Sequence, residues 1–405
     1  MGGGNHMKSA VVDEERGAEK APAPGAGMAR ALNKKLNLVL EGGGVKGIAL
    51  VGALKALEAR IAEFNRENTR GLALSLDESR YAGTSAGAVV AALLAAGYTP
   101  AELETIVAST EFSRFADHGV LARIPVVGRP LSIAHGVLWK LGMFQGDYFL
   151  DFLRSKLRDK GVRTFGDLLA DHKEPEGSLR RYKLYVTASD ITRGRMLFLP
   201  SDLNWRQYGV SPDEMDVALA VRMSMGVPFV FRPVTTTGEN GVVSYLVDGG
   251  LLSNFPLGVF DPSIARSEPL PLDRPATVGI RILRDRYHSI RFPGKALRAV
   301  YALASTAVEA HDYRVSRNAV DELKWARAIE VNTEAVPVFK WDISQLEKEI
   351  LFNEGYQATY RTATAEYLER LLDVDEILRE TYRAAVGGGG RAEQPVDLLQ
   401  HLRRP

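Results

Sequence analysis

The sequence predicts an α/β protein: a mainly parallel central sheet covered by helices on both faces, with additional helices toward the C-terminus. Three observations predict this. Short apolar runs of β character alternate with segments of helical spacing from residue 36 onward. Two of those runs end in glycine-rich turns that open directly into a helical segment, at Gly42–Gly47 and at Gly83–Gly87. Beyond residue 294 the pattern becomes helical over long stretches.

In chain order, residues 1–35 are rich in Gly, Ala, Pro and charge without periodicity and read as a disordered tail. Leu36–Leu40 is a short apolar strand, and Val45–Phe64 has helical spacing. Arg80–Gly83 is the end of a second strand. Ala86–Ala96, small and apolar, is a buried helix closed by Gly97. Pro100–Ser109 is a helix with Thr99 as N-cap and Pro at its first position. Tyr182–Ala188, Arg195–Leu199, Val242–Val247 and Ala276–Leu283 read as strands. Helical patterns follow at 294–328, 344–352 and 354–384, and residues 385–405, opening on four glycines from Gly387, form a flexible tail. The expected organisation is a main domain over 36–285 with an insertion at 118–150, and a helical part over 286–384 packed on the same domain.

Composition removes several function classes. The chain has 405 residues, 45% hydrophobic and 25% charged, with 51 Lys plus Arg against 50 Asp plus Glu, a net charge of +1. That balance argues against nucleic-acid binding, which wants a basic excess. The cysteine count is 0, so no disulfide framework, Cys-zinc site, iron–sulfur cluster or thiol nucleophile is possible. Of the 7 histidines none forms an HExxH pair, and neither a metal nor an organic cofactor is expected. No apolar run approaches the roughly 18 residues of a membrane span. Without the apolar core of a secretory signal, the expectation is a cytoplasmic protein, or one exported without a cleavable signal peptide, in peripheral contact with membranes. His6 occupies the position where a myristoylation signal needs Ser or Thr.

Three motifs carry the chemistry. Glu41-Gly42-Gly43-Gly44-Val45-Lys46-Gly47 follows a strand and opens a helix, a setting whose unobstructed amides favour negative charge. Its G-x-G-x-x-G spacing fits a dinucleotide loop, but no acidic residue stands at the end of a next strand, and Ile48 occupies the P-loop lysine position. Gly83-Thr84-Ser85-Ala86-Gly87 is G-x-S-x-G between a β-like segment and an apolar helix, the setting of a nucleophile elbow; a plain N-cap turn is the competing reading. Asp248-Gly249-Gly250 ends a strand at the sheet edge where α/β proteins place their sites, although an Asp-Gly turn is common.

In this order the three motifs resemble the patatin-like phospholipases, or lipid acyl hydrolases. The resemblance covers residues 36–285 and continues more weakly to about 370, supported by Ala218–Pro233 and by Val186-Thr-Ala-Ser-Asp190. Lys46 departs from the arginine that many members carry, and a point charge cannot make a bidentate contact. The resemblance implies a patatin-like three-layer αβα fold and a Ser85–Asp248 dyad, with Gly43 and Gly44 amides as the oxyanion hole. It implies a phospholipase A-type reaction on glycerophospholipids through an acyl-enzyme, with no cofactor. A carboxylate base starts about 2.6 pKa units, or about 3.5 kcal/mol, below imidazole in proton affinity, and a dry cleft offsets part of that. A Ser–His–Asp triad would use His288 or His311, which read as a surface loop and a helix face.

Residues 119–144 are apolar with scattered Arg and Lys and no acid. They read as a lid that inserts Trp139 and Phe144 at a membrane surface, with Arg123, Arg129 and Lys140 on phosphate, or as an insertion packed over an acyl pocket. Arg222 and Ser224 read as loop-shaping rather than catalytic. Phospholipid at a membrane surface is the expected partner. Self-association through the Ala-rich face of 296–307 and an activating partner stay open. The alternatives are an esterase or acyltransferase on neutral or short-chain esters with the same dyad, and a non-enzymatic nucleotide- or anion-binding module built on Gly42–Gly47.

Overall fold

The computed structural model describes residues 1, 32–67, 72–76, 79–116, 142–176, 178, 181–261, 275–283, 326–333, 336–338 and 340–386. Its strands are β1 (Leu32–Leu40), β2 (Leu72–Ser75), β3 (Tyr81–Gly83), β4 (Gly142–Phe144), β5 (Leu184–Asp190), β6 (Arg195–Leu199), β7 (Phe229–Phe231), β8 (Val234–Thr237), β9 (Val243–Asp248), β10 (Ala276–Leu283) and β11 (Ala328–Asn332). The helices are α1 (Ile48–Glu67), α2 (Ala86–Ala95), α3 (Pro100–Ser109), α4 (Asp147–Asp159), α5 (Trp205–Tyr208), α6 (Val217–Ser224), α7 (Gln345–Thr362) and α8 (Ala365–Val386), with short 3-10 turns between.

The sheet runs in the order β11-β10-β1-β3-β5-β9-β8, with β2 beside the start of β1 and β6 beside β5. From β11 to β5 every pairing is parallel; β6, β8 and β9 are antiparallel additions at the β5 side. Parallel strands flanked by helices are buried on both faces and so read as continuous apolar runs. Leu36, Leu38, Val39 and Leu40 are fully buried accordingly, and every residue of β5 is buried. The α/β class with a mainly parallel sheet is what the alternation of elements predicted.

Several boundaries differ from the sequence expectation. β1 begins at Leu32, inside the stretch read as tail, because its first four residues pair with β2. β2, β4, β7 and β8 are three or four residues long, too short for periodicity to register. β11 occupies residues where a helical pattern was expected to end; residues 284–325 lie outside the described residues. The helix break expected at 353 falls at Ala363–Thr364 instead. Gly355 is where α7 touches α1: a Cβ there would lie 1.9 Å from the Ala49 carbonyl, and one on Gly52 would lie 1.9 Å from that of Phe352. Two helices thus meet backbone to backbone.

The α3 start is as expected. Thr99 accepts from the Glu102 amide at 3.2 Å, and Glu102 accepts from the Thr99 amide at 2.8 Å, with Pro100 at the first position. Ser344 and Glu347 repeat this capping box on α7. Residues 119–141, read as a lid or a packed insertion and including Arg123, Arg129, Trp139 and Lys140, lie outside the described residues. Phe144, expected at a headgroup boundary, is half-buried with its ring 5.8 Å from Phe231, in a small apolar cluster around the β4–β7 pair.

Candidate active site

The turn between β3 and α2 holds Ser85 at φ 52°, ψ −123°. A non-glycine residue there stores about 1–3 kcal/mol of backbone strain, so the surroundings must over-determine it. They do so on both sides. The Ser85 amide donates to Ser224 Oγ at 2.8 Å, from the C-terminal end of α6. Thr84 Oγ1 meets Thr187 Oγ1 of β5 at 2.5 Å and donates to the Ser253 carbonyl at 3.2 Å. Ser85 is 6% exposed, and its Oγ lies 3.5 Å from Met225 Sδ, a weak acceptor that leaves the hydroxyl easily reoriented.

Asp248 arrives along the same flank of β5 as β3: Val186 pairs with Gly83 and Leu199, and Ala188 with Leu197 and Asp248, so β6 holds one flank while β3 and β9 share the other. Gly83, the last residue of β3, pairs with Val186, and Ala188, two residues further along β5, pairs with Asp248, so the C-terminal ends of β3 and β9 face one another. β9 runs against β5, so its C-terminal end comes back to the edge where β1 and β3 finish. Asp248 is 5% exposed and its Oδ1 accepts the Gly250 amide at 2.7 Å. Gly249 passes so close to β5 that a Cβ would lie 2.2 Å from Thr187 Oγ1 and 2.6 Å from the Thr187 carbonyl. Thr187 therefore touches both the Ser85 turn and the Asp248 loop.

The glycine loop leaves β1 on the far side of β3 and folds over Ser85: a Cβ on Gly42 would lie 3.1 Å from Ser85 Cβ. Gly44 has φ +56° and faces the Val338 carbonyl, 2.3 Å from where its Cβ would stand. The flanking amides are used, Gly42 donating to the Asn254 carbonyl at 3.2 Å and Val45 to that of Val338 at 3.0 Å. The Gly43 and Gly44 amides have no partner among the described residues. Gly47 packs on Ala86, its Cβ position 2.8 Å from that of Ala86, so the loop helix and the elbow helix are in contact. Lys46 is buried and its Nζ donates to the Thr333 carbonyl. That contact suits a point charge and has no need of a planar fork.

Asn254 and Glu41 are the residues that motif reasoning missed. Asn254 Nδ2 donates to Glu41 Oε1 and to the Gly42 carbonyl, each at 3.0 Å. Its Oδ1 lies 2.9 Å from a Cβ position on Gly250 and 2.4 Å from one on Gly42. One side chain thus fills the seam between the glycine loop and the Asp248 loop. Glu41 is buried, accepts the Ile282 amide at 2.6 Å, and has Arg281 Nε 3.9 Å from the same oxygen. The signals were present, an acid directly before three glycines and an Asn six residues after Asp248, but nothing in linear order links them. Arg222 is loop-shaping as expected: Nη2 donates to the Gln145 and Arg232 carbonyls at 2.8 and 2.9 Å, and the guanidinium lies over the Phe231 ring. His288 and His311 lie outside the described residues.

Beside Ser85 opens an apolar cavity of about 80 Å3, running from Gly44, Ala86 and Met225 to α3 and the rings of Phe115, Phe149 and Phe152. That is room for several water-sized groups, at roughly 10–15 Å3 each. Among the described residues there is no cluster of His, Asp and Glu suited to a metal, and no helix long and apolar enough to cross a membrane.

A family model described as patatin-like phospholipase matches residues 38–261, which include the glycine loop, Ser85 and Asp248. The chain belongs to the patatin-like phospholipase family. Relatives include the uncharacterized protein YqhO of Bacillus subtilis, 36% identical over 277 residues, covering 68% of this chain and 81% of that protein. A probable lipid hydrolase 463L of Invertebrate iridescent virus 6 is 24% identical, covering 55% of this chain and 62% of its own. Lysophospholipase nte1 of Aspergillus niger is 25% identical, covering 56% of this chain and 11% of its own. Similar solved structures include VipD from Legionella pneumophila, with a TM-score of 0.39, 16% identity, 85% of this chain and 67% of that one. The type III effector ExoU gives 0.38, 15%, 85% and 54%. The family match ends at Asp261, so α7 and α8 lie beyond it.

Proposed function

We propose that the protein is a serine lipid acyl hydrolase of phospholipase A type, cleaving fatty-acyl esters of glycerophospholipids. The observation that carries this reading is the strained Ser85 turn set between a glycine loop with two amides unpartnered among the described residues and an apolar cavity suited to an acyl chain. Ser85 Oγ leaves Met225 Sδ and attacks the ester carbonyl as Asp248 takes its proton. The Gly43 and Gly44 amides receive the developing oxyanion, a contribution of about 2.7–4 kcal/mol per donor in other hydrolases. Asp248 returns the proton to the departing lysolipid oxygen. Water, deprotonated by the same carboxylate, then releases the fatty acid from Ser85. The family membership and the relatives named as lipid hydrolases support the substrate class.

The modest cavity favours a second reading, an esterase or acyltransferase on short-chain or neutral esters using the same two residues. A nucleotide-binding loop is disfavoured, because Asn254 and Val338 occupy the amides flanking the glycines and Ser85 fills the space beneath them. The test is fluorophosphonate labelling together with release of fatty acid and lysolipid from glycerophospholipid vesicles. Both should vanish in Ser85→Ala. Wild-type protein that is neither labelled nor active on any acyl ester refutes the proposal.

A further inference from the structure

The cavity wall is completed by residues beyond the family match. Val338 places its carbonyl on the glycine loop, accepting the Val45 amide at 3.0 Å. Trp341, three residues on, lines the cavity and packs edge-on against Phe231, the rings 5.8 Å apart at 86°. α7 then starts at the Ser344 cap, and its first turn carries Lys348, which is 8% exposed. Lys348 Nζ donates to the carbonyls of Val107, Ala108 and Thr110 at 3.2, 3.1 and 2.8 Å. These lie at the C-terminal end of α3, where carbonyls lack helical partners and a cation is favoured. All three ammonium hydrogens are thereby used, and Nζ also lies 5.3 Å from the centre of the Phe112 ring. Burial holds the ammonium pKa below its ordinary value. Val107, Thr110 and Phe112 line the same cavity as Trp341. One short stretch of chain therefore supplies a cavity ring and latches the opposite wall.

We propose that Trp341 is the residue that sets acyl-chain selectivity, with Lys348 as the positioning residue that holds the α3 wall against it. The inference rests on the acyl-hydrolase reading of the Ser85 site. An apolar pocket discriminates a single methylene by roughly 10–200-fold, so removing an indole from the wall must alter which chain fits rather than merely slow every substrate.

The experiment measures kcat/KM for p-nitrophenyl esters with acyl chains from four to sixteen carbons, for wild type, Trp341→Ala, Trp341→Phe and Lys348→Met. In Trp341→Ala the ratio of long-chain to short-chain kcat/KM should rise at least tenfold, with Trp341→Phe intermediate. Lys348→Met keeps the apolar stem but frees the three carbonyls; it should move the profile the same way by a smaller factor. Profiles that superimpose on wild type after scaling, in the two milder variants as well as in Trp341→Ala, overturn the proposal. Wild-type protein with no Ser85-dependent hydrolysis of any ester overturns the underlying reading and the selectivity role with it. The two failures are distinct, because the first needs an active wild type.

Discussion

Replacing Ser85 by Ala and by Gly separates the strain of the elbow from the chemistry of the hydroxyl. Both variants lose Oγ and its contact with Met225, so their difference isolates the backbone. At φ 52°, ψ −123° the alanine variant keeps about 1–3 kcal/mol of strain, which glycine releases. Glycine in turn costs about 0.4–1 kcal/mol through the freedom it adds to the unfolded chain. The net expectation is that Ser85→Gly is more stable than Ser85→Ala by about 0.5–2 kcal/mol. Urea unfolding, followed by tryptophan fluorescence and circular dichroism, reads this as a higher midpoint at an unchanged slope. An alanine variant as stable as the glycine variant would mean that the turn relaxes freely. The claim that the surroundings hold residue 85 in a strained conformation would then fail.

Four further outcomes follow from the same geometry. Asp248→Asn should lower kcat by about 10²–10⁴, the usual range for losing a general base, with labelling of Ser85 slowed in parallel; a change under twofold removes Asp248 from the mechanism. Asn254→Ala takes one donor from the Glu41 carboxylate and one from the Gly42 carbonyl and should cost about 1–3 kcal/mol in urea unfolding, with kcat falling more than KM changes. Gly249→Ala drives a methyl into Thr187 and should cost about 1–3 kcal/mol; crystals showing an unmoved β5 and Asp248 would contradict it. Glu347, capped onto Ser344 and bonded to Lys340, has its pKa lowered to about 2. Its stabilising contribution is therefore complete above the unfolded value near 4.5 and disappears as pH falls toward about 2. The urea midpoints of wild type and Glu347→Gln should differ at pH 6 and converge by pH 2, and a gap that is constant across that range would show the reasoning to be mistaken.

Much of this was legible before any coordinates. Local order encodes turn chemistry, so Gly83–Gly87 between a strand and a helix announced a tight strand-to-helix turn, and Thr99-Pro100 announced a helix start. Contacts across hundreds of residues have no such signature. Asn254 is 213 positions from Glu41, and Lys348 is more than 230 from the carbonyls it caps; a lysine on an amphipathic helix reads as solvated until the partner helix is in place. The short strands β7 and β8 were illegible because three or four residues cannot establish an alternation. The close packing of Gly355 against Ala49 is likewise invisible in linear order.

β5 contributes no reactive group, yet it fixes the width of the reaction site. β3 and β9 run toward one another along one flank of β5, and their ends, Gly83 and Asp248, are held opposite Val186 and Ala188, two residues or roughly 6.7 Å apart at about 3.3–3.4 Å per residue. Neither end can slide along β5 without tearing a ladder of hydrogen bonds, so the interval between them is set by the strand they share. Loops at this end can be exchanged by a protein engineer with some freedom. Deleting one residue from Leu184–Asp190 cannot be tolerated, because it would turn Thr187 to the wrong face and unhook both halves of the machinery at once.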